Sequence, residues 1–135
     1  MLTNGSAFAD GTAIVRDMGL YSKRPAFIGY DNELADVIAN EVSGTGYSDG
    51  GLTLANPAIV TTPTYTAFDT DDAVWASSSI VALWGVIYRS GTVNGYTDPI
   101  LAYVLLDDTM TSVSSTNSNF SIVWNAGGIL TLWSA

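Results

Sequence analysis

Three carboxylates stand close together directly before the longest apolar run of the chain. Asp69, Asp71 and Asp72 occupy three of four consecutive positions within FDTDDAVW, residues 68–75. Carboxylate oxygens are the ligands that calcium prefers, and a pair of carboxylates can act as general acid and base. Aspartates at strand ends also form turns, by accepting hydrogen bonds from nearby backbone. The stretch could therefore be a metal site, part of a catalytic pair, or the polar start of a buried strand.

The spacing does not match the EF-hand calcium loop. Counted from Asp69, that loop needs an oxygen ligand at position five, glycine at six and glutamate at twelve, where this chain has alanine, valine and isoleucine. A less regular calcium site built on Asp69 and Asp71 stays open as an alternative. We expect instead that Asp71 and Asp72 form a turn that starts a strand at Val74 and Trp75.

A second acidic pair, Asp107-Asp108, ends an apolar stretch and is interpreted in the same way. Asp72 and Asp107 could meet at one end of a sandwich, as the two acids of a glycoside hydrolase do. The chain has no histidine and no cysteine, however, so the commonest general base and the thiol nucleophile are missing. It also has no Gly-x-Ser-x-Gly motif and no P-loop. We therefore predict a protein that is not an enzyme, with no catalytic residues and no cofactor.

The chain is acidic and poor in charged residues. Its 135 residues carry a net charge of −9, and 13% of them are charged, against about 25% in a typical soluble domain. The four cations are Arg16, Lys23, Arg24 and Arg89. Nucleic acids and acidic membrane surfaces are bound by clusters of Lys and Arg. We expect neither of them as a partner.

The sequence has no pattern typical of export or membrane insertion. The first residues, MLTNGSAFADGTAIV, lack a positive n-region and an apolar stretch of signal-peptide length. The most apolar segment, 80–88, has nine residues, well short of the roughly 20 that span a bilayer as a helix. We expect a protein that is soluble when it is made.

One segment has the period of an α-helix, at about 31–43. Asp31 or Asn32 is predicted as its N-cap, and the glycine-rich SGTGYSDGG that starts at Ser43 is predicted to end it. The apolar side chains that recur at the spacing of one helix face are Leu34, Val37, Ile38 and Val42.

The rest of the chain predicts strands. Residues 1–11 have no hydrophobic period and are interpreted as an N-terminal arm, followed by a single β-rich domain over 12–135. Asn94-Gly95 predicts a turn inside a long hairpin loop. Within the predicted strand 79–89, residues 80–88 form an unbroken apolar run, which indicates a central strand covered on both faces. The predicted strands are 12–22, 58–62, 64–67, 79–89, 100–106, 120–125 and 129–133. Together they indicate a mainly β fold, a β-sandwich or a jelly-roll-like barrel with one short helix.

The aromatic residues divide into core and contact candidates. Trp84 and Trp124 lie within apolar strand patterns and are predicted to be core residues. The interface candidates lie in the arm, in glycine-rich loops and near the end of the sequence: Phe8, Tyr47, Tyr96 and Trp133. Such rings could touch a partner protein or a glycan.

Several stretches together resemble a family of small structural proteins of tailed bacteriophage virions. The stretches are ADVIANEVSGTGYSDGGLTLAN (35–56), FDTDDAVWASSSIVALWGVIYRSGT (68–92), DPILAYVLLDD (98–108) and NFSIVWNAGGILTL (119–132). Two stretches depart from the family pattern: the loop RSGTVNGYTDP is longer, and TAIVRDMGLYSKRPAF replaces a strand followed by a longer polar loop.

The resemblance implies a virion structural role without catalysis. The leading hypothesis is a capsid decoration (cement) protein on the capsid surface, made in the host cytoplasm, with the major capsid protein and itself, as a homotrimer, for partners. The alternatives are a neck, tail or fibre component, or a glycan-binding surface module.

Overall fold

The computed structural model describes residues 17–21 and 33–133. Antiparallel strands make up about half of this part of the chain, with one short helix, which confirms the predicted mainly β fold. The strands are β1 (Asp17–Tyr21), β2 (Leu52–Thr53), β3 (Ala58–Thr61), β4 (Tyr65–Asp69), β5 (Ala73–Ser78), β6 (Val81–Ala82), β7 (Trp84–Tyr88), β8 (Thr92–Val93), β9 (Tyr96–Thr97), β10 (Ile100–Leu105), β11 (Val113–Ser114), β12 (Ser118–Ile122) and β13 (Leu130–Trp133).

Ten of these strands form one long antiparallel ribbon. The pairs are nested in chain order, β4 with β13, β5 with β12, β6 with β11, β7 with β10 and β8 with β9. Register shifts interrupt the ladder between Ser118 and Phe120 and between Ile100 and Ala102. Such irregularities bend and twist a ribbon locally. The ribbon can therefore fold back on itself and enclose its apolar side chains.

The tip of the ribbon is the turn predicted at Asn94-Gly95. Val93 pairs with Tyr96, and the two residues between them have φ values of 51° and 87°. A type I′ turn requires positive φ at both central positions, which asparagine and glycine tolerate best. The turn is confirmed, but it closes a short hairpin of β8 and β9 instead of lying in a long loop.

Two sheets extend the ribbon sideways. One has the order β10-β7-β1-β2 and the other the order β13-β4-β3. All five residues of β7 are buried, as predicted for a central strand. The predicted strand 79–89 is not continuous, however, because it divides at Leu83 into β6 and β7, and Ser79 lies outside both, in an isolated bridge with Thr45. Of the predicted strand 12–22 the structure describes β1, and the predicted arm 1–11 lies outside the described residues.

The helix is shorter than predicted. It comprises α1, Leu34–Val37, and a 3₁₀ turn, Ile38–Asn40. Glu33 is the N-cap, and its backbone N–H donates to Asp36 Oδ2 at 3.1 Å. The candidate caps Asp31 and Asn32 lie outside the described residues.

The predicted apolar stripe of the helix is only partly correct. Leu34 and Val37 are buried, but Ile38 is 44% exposed. The 3₁₀ turn has about three residues per turn, so the face of Leu34 and Val37 does not continue to Ile38. Val42 is buried beyond the helix, in a different cluster.

Two apolar clusters form the core on the two faces of β7. The smaller cluster joins α1 to Trp84, Val86 and Tyr88, which alternate along the strand and so point to one face. The larger cluster lies on the opposite face and contains Ile87 together with Val42, Leu54, Phe68, Ala73, Trp75, Ile80, Ala82 and Phe120. No helix in the described part of the chain is long and apolar enough to cross a membrane.

Candidate functional site

The acidic stretch holds backbone segments together. Asp71 Oδ2 accepts a hydrogen bond from Asn56 Nδ2 at 2.6 Å, and Asp72 Oδ1 accepts one from the backbone N–H of Trp124 at 3.0 Å. Asp69 Oδ1 accepts from the backbone N–H of Thr70 at 3.0 Å. The local turn expected of Asp71 and Asp72 is therefore wrong. Their carboxylates bond to residues distant in sequence, which no local spacing reveals.

These bonds fix the start of β5. The backbone N–H of Asp71 donates to Ala55 O at 2.9 Å, and Trp124 Nε1 donates to Asp71 O at 3.2 Å. The segment before β5 is thereby tied to the chain ahead of β3 and to the chain after β12. The calcium alternative places a metal ion at Asp69 and Asp71. Among the described residues, no three or more acidic side chains come together in a way that could hold a metal ion, at this position or elsewhere.

Asp107 caps a turn at the end of β10, as its position predicted. Its Oδ1 accepts the backbone N–H of Thr109 at 2.7 Å and the hydroxyl of the same residue. These bonds, the hydroxyl first, hold the pKa of the Asp107 carboxyl below its ordinary value, because they favour the charged form. Asp72 and Asp107, the pair considered for glycoside chemistry, thus each bind backbone N–H groups.

Tyr47 is a packing residue rather than a freely exposed contact. It is half-buried, and its ring stacks on Trp75 with centroids 6.2 Å apart. Its hydroxyl donates to Glu41 Oε1 at 2.6 Å, and the backbone N–H of Gly50 donates to the same oxygen at 2.7 Å. Tyr88 closes the loop by donating its hydroxyl to Gly50 O at 2.7 Å. Glu41, which orders this glycine-rich loop, was not singled out by the sequence, because its partners come from later in the chain.

The remaining aromatic candidates differ in exposure. Tyr96 is 48% exposed, on β9 at the tip of the ribbon. Trp133 is 72% exposed, and its ring lies 5.1 Å from that of Tyr65, centroid to centroid. Trp84 is buried as predicted. Trp124 is only half-buried, and Phe8 lies outside the described residues.

Exposed apolar side chains form a surface around the outer strands of the β13-β4-β3 sheet, where the register places Val60 and Trp133 on one face of the sheet and Leu130 and Leu132 on the other. We call it the outer-strand surface, and its large apolar side chains are Val60 (42% exposed), Leu130 (45%), Leu132 (43%) and Trp133 (72%). Neither β3 nor β13 contains a charged residue. Outer strands are normally protected by charges or proline, and large exposed apolar patches mark contact sites.

A groove lies between β10 and β12, with a volume of about 250 Å³. Its lining is mostly apolar. The apolar residues that line it are Val104, Leu105, Leu106, Val113, Phe120, Ile122, Val123 and Trp124. We call it the β10–β12 groove. No local pattern in the sequence indicates this groove, because its two walls belong to strands with different partners, β10 with β7 and β12 with β5.

The geometry thus consists of an exposed apolar surface, an apolar groove and an acidic stretch whose carboxylates accept hydrogen bonds from Asn56, Thr70 and Trp124. No protein-family model, curated protein or solved structure matches this chain.

Proposed function

We propose that this protein is a structural protein of a tailed-bacteriophage virion that decorates the outside of the capsid and does no chemistry. The observation that carries the proposal is the outer-strand surface, where two charge-free strands present Val60, Leu130, Leu132 and Trp133 to solvent. Its partners on the particle are the major capsid protein and further copies of the same chain.

The physical properties of this surface suit protein contact. Tryptophan and leucine side chains contribute large apolar area on burial. Aromatic residues are enriched at the cores of interfaces, whereas charged residues are depleted there. A chain with a net charge of −9 repels its own copies, and contact through uncharged strands at least brings no like charges into direct contact. Each copy added to a capsid lattice would then clamp neighbouring capsomers.

The sequence resemblance supports the same assignment. The stretch from 35 to 132 has several motifs in the order found in small virion proteins of tailed phages. Those motifs include the glycine-rich loop ordered by Glu41 and the acidic stretch ahead of β5. These motifs stabilise the fold. The resemblance therefore supports a shared fold and a role in the virion, and it does not point to an active site.

Labelled-antibody electron microscopy of purified virions tests the proposal. Gold label spread evenly over the heads is the expected result for a decoration protein. Label confined to one vertex or to the tail would replace decoration by a neck, tail or fibre role. Particles without label would overturn the virion assignment, provided that the same antibody labels the purified protein on a grid.

A glycan-binding module is the second candidate, favoured by the pairing of Tyr65 with Trp133. Their rings are tilted by 58° at a centroid distance of 5.1 Å, and exposed aromatic faces bind sugars. Titration of host polysaccharide against tryptophan fluorescence decides between the two. A saturable shift that is lost in Trp133→Ala would favour the glycan module, and a flat response would exclude it for the polysaccharide used.

A further inference from the structure

The β10–β12 groove shares one wall, Trp124, with a cup of carboxylates. We call it the acidic cup, and its other lining residues include Asp69, Asp71 and Asp72. The backbone N–H of Trp124 donates to Asp72 Oδ1 at 3.0 Å, and its Nε1 donates to Asp71 O at 3.2 Å. These two bonds hold the indole between the groove and the cup, so that one ligand can reach both.

The acidic cup carries negative charge that no nearby base of the described residues neutralises. Asp71 and Asp72 are exposed, and each uses one carboxylate oxygen in its hydrogen bond. In the described part of the chain the one cation is Arg89. Arg89 directly follows β7, whereas the groove lies at the opposite end of that strand, where Trp84 pairs with Leu105. The cup is therefore electrostatically complementary to a cationic group of a partner.

The groove has the lining and the size for one large apolar side chain. Its volume is about 250 Å³. Phe120 is 3% exposed and forms the buried floor, while Ile122 and Trp124 are half-buried beside it. An aromatic or large aliphatic side chain that enters the groove would remove apolar surface from water on both partners.

The groove also presents backbone groups to an extended segment. The backbone N–H of Leu106 donates to Leu83 O at 3.1 Å. Because bonding directions alternate along a strand, the N–H and C=O of Leu105 point away from β7. In the described part of the chain, β10 pairs with β7 alone and β12 with β5 alone. An added strand can bond to such an edge while its side chains fill the pockets beside it.

We propose that the groove and the acidic cup together bind an extended segment of the major capsid protein. The segment places an aromatic or large aliphatic side chain in the groove and a nearby Lys or Arg in the cup. The apolar side chain supplies buried area, and the cation fixes the register of the segment, because charge complementarity selects the partner and its orientation. The identity of the partner rests on the proposed function, whereas the chemistry of the segment rests on the site alone.

Selection from a library of random short peptides tests the chemistry of the segment. The peptides are displayed on yeast and selected on the full-length protein, and those that also bind the Val123→Arg variant are removed. Val123 lines the groove and is 73% exposed, so an arginine there obstructs the groove and repels a cation. The expected peptides share a large apolar residue close to a Lys or Arg. Peptides that lack either element, or no enrichment at all, would overturn the proposal.

The contribution of the cup is measured with one enriched peptide by fluorescence anisotropy. In the double variant Asp71→Asn/Asp72→Asn, the amide oxygens can accept the same hydrogen bonds, so only the charge is lost. Binding should weaken roughly fivefold or more at low salt, and the difference should shrink at high salt. Asp49→Asn/Asp98→Asn removes the same charge elsewhere and should bind as the natural protein does. Equal effects of the two double variants would overturn the role of the cup.

The contribution of the groove is measured in the same assay. Val123→Arg should abolish saturable binding, whereas Val60→Arg, at an exposed valine on β3, should retain it. Urea unfolding of each variant shows that it is folded. Equal binding by the two arginine variants would overturn the groove as the site.

Competition identifies the partner. The enriched peptide should weaken attachment of the protein to capsids that lack it, measured by co-sedimentation. A peptide that binds the groove but leaves this attachment unchanged would overturn the major capsid protein as the occupant. A peptide that instead lowers the average mass of the purified protein in sedimentation velocity would identify a second copy as the occupant and overturn the proposal. If virions carry no antibody label, the proposed function fails, whereas the peptide measurements on the purified protein still stand.

Discussion

The hydroxyl of Tyr47 donates a 2.6 Å hydrogen bond to Oε1 of Glu41, six residues earlier in the chain. The same oxygen accepts the backbone N–H of Gly50, whose carbonyl accepts the hydroxyl of Tyr88. One carboxylate thus orders the glycine-rich loop and connects it to the central strand β7. The loop is a structural element of the fold, although its composition alone suggests a mobile connection.

Replacing Tyr47 by phenylalanine should destabilise the protein. The variant keeps the ring stacked on Trp75 but leaves a half-buried carboxylate with one donor fewer, which costs about 1–2 kcal/mol. Urea unfolding followed by tryptophan fluorescence measures the change. Tyr96→Phe is the matched control, because Tyr96 is exposed on β9, and its free energy of unfolding should stay within about 0.5 kcal/mol of the natural protein. Equal effects of the two substitutions would show that the bond to Glu41 contributes nothing.

Gly44→Ala should destabilise the fold more strongly. A Cβ at this position would collide with the backbone carbonyl oxygen of Ser79, and a backbone atom cannot rotate away as a side chain can. Overpacking of this kind costs roughly 1–3 kcal/mol. Gly127→Ala is the control, since its Cβ would meet only the side-chain oxygen of Asn125, at 3.3 Å. Thermal unfolding should give a clearly lower Tm for the first variant, and similar Tm values would contradict the close approach.

The pKa of the Asp107 carboxyl should rise when the Thr109 hydroxyl is removed. That hydroxyl is the first cause of the lowered pKa, so Thr109→Ala should move it back towards 3.8, its ordinary value, while Thr109→Ser should keep it low. Carbon-detected NMR titration of Asp107 measures both variants. An unchanged pKa in Thr109→Ala would leave the backbone N–H of Thr109 as the sufficient cause.

The same bonds imply a dependence of stability on pH. A carboxyl whose pKa is lower in the folded than in the unfolded state stabilises the fold above the unfolded pKa, and this contribution is lost as the pH falls through the folded pKa. The contribution of Asp107 is therefore fully present at neutral pH and disappears on acidification below about 4. Thr109→Ala should show a smaller loss of stability over that acid range than Thr109→Ser.

Trp133→Ala should weaken attachment to the capsid without unfolding the domain. Trp133 is 72% exposed, so its removal costs the fold little, whereas a tryptophan buried in an interface contributes about 2 kcal/mol or more to binding. Co-sedimentation with capsids that lack the protein measures the loss, expected at roughly tenfold or more. Met110→Ala, which removes another exposed apolar side chain at 59% exposure, is the control. Equal binding by both variants would remove the outer-strand surface from the capsid contact.

Local patterns in the sequence determined the class of the fold and several of its parts. The apolar run before Arg89 predicted a buried central strand, which is β7, because a strand covered on both faces has no polar side to present. Asn94-Gly95 predicted a turn, because few residues accept two successive positive φ values. Asp107 is predicted to form a turn at the end of a strand, and its hydrogen-bond donor is Thr109, two residues later. Each of these features depends on residues near in sequence.

The contacts between distant residues were decided only by the tertiary structure. Asp71 and Asp72 looked like a local turn, but their partners are Asn56 and Trp124, 15 and 52 residues away. Ile38 fitted the helix period but is exposed, because the helix narrows to a 3₁₀ turn. The β10–β12 groove is lined by two strands that pair with different partners, β10 with β7 and β12 with β5. The spacing of residue types along the sequence predicts only contacts between residues that are near in sequence. Pairing between distant strands depends on how the whole chain packs around its core.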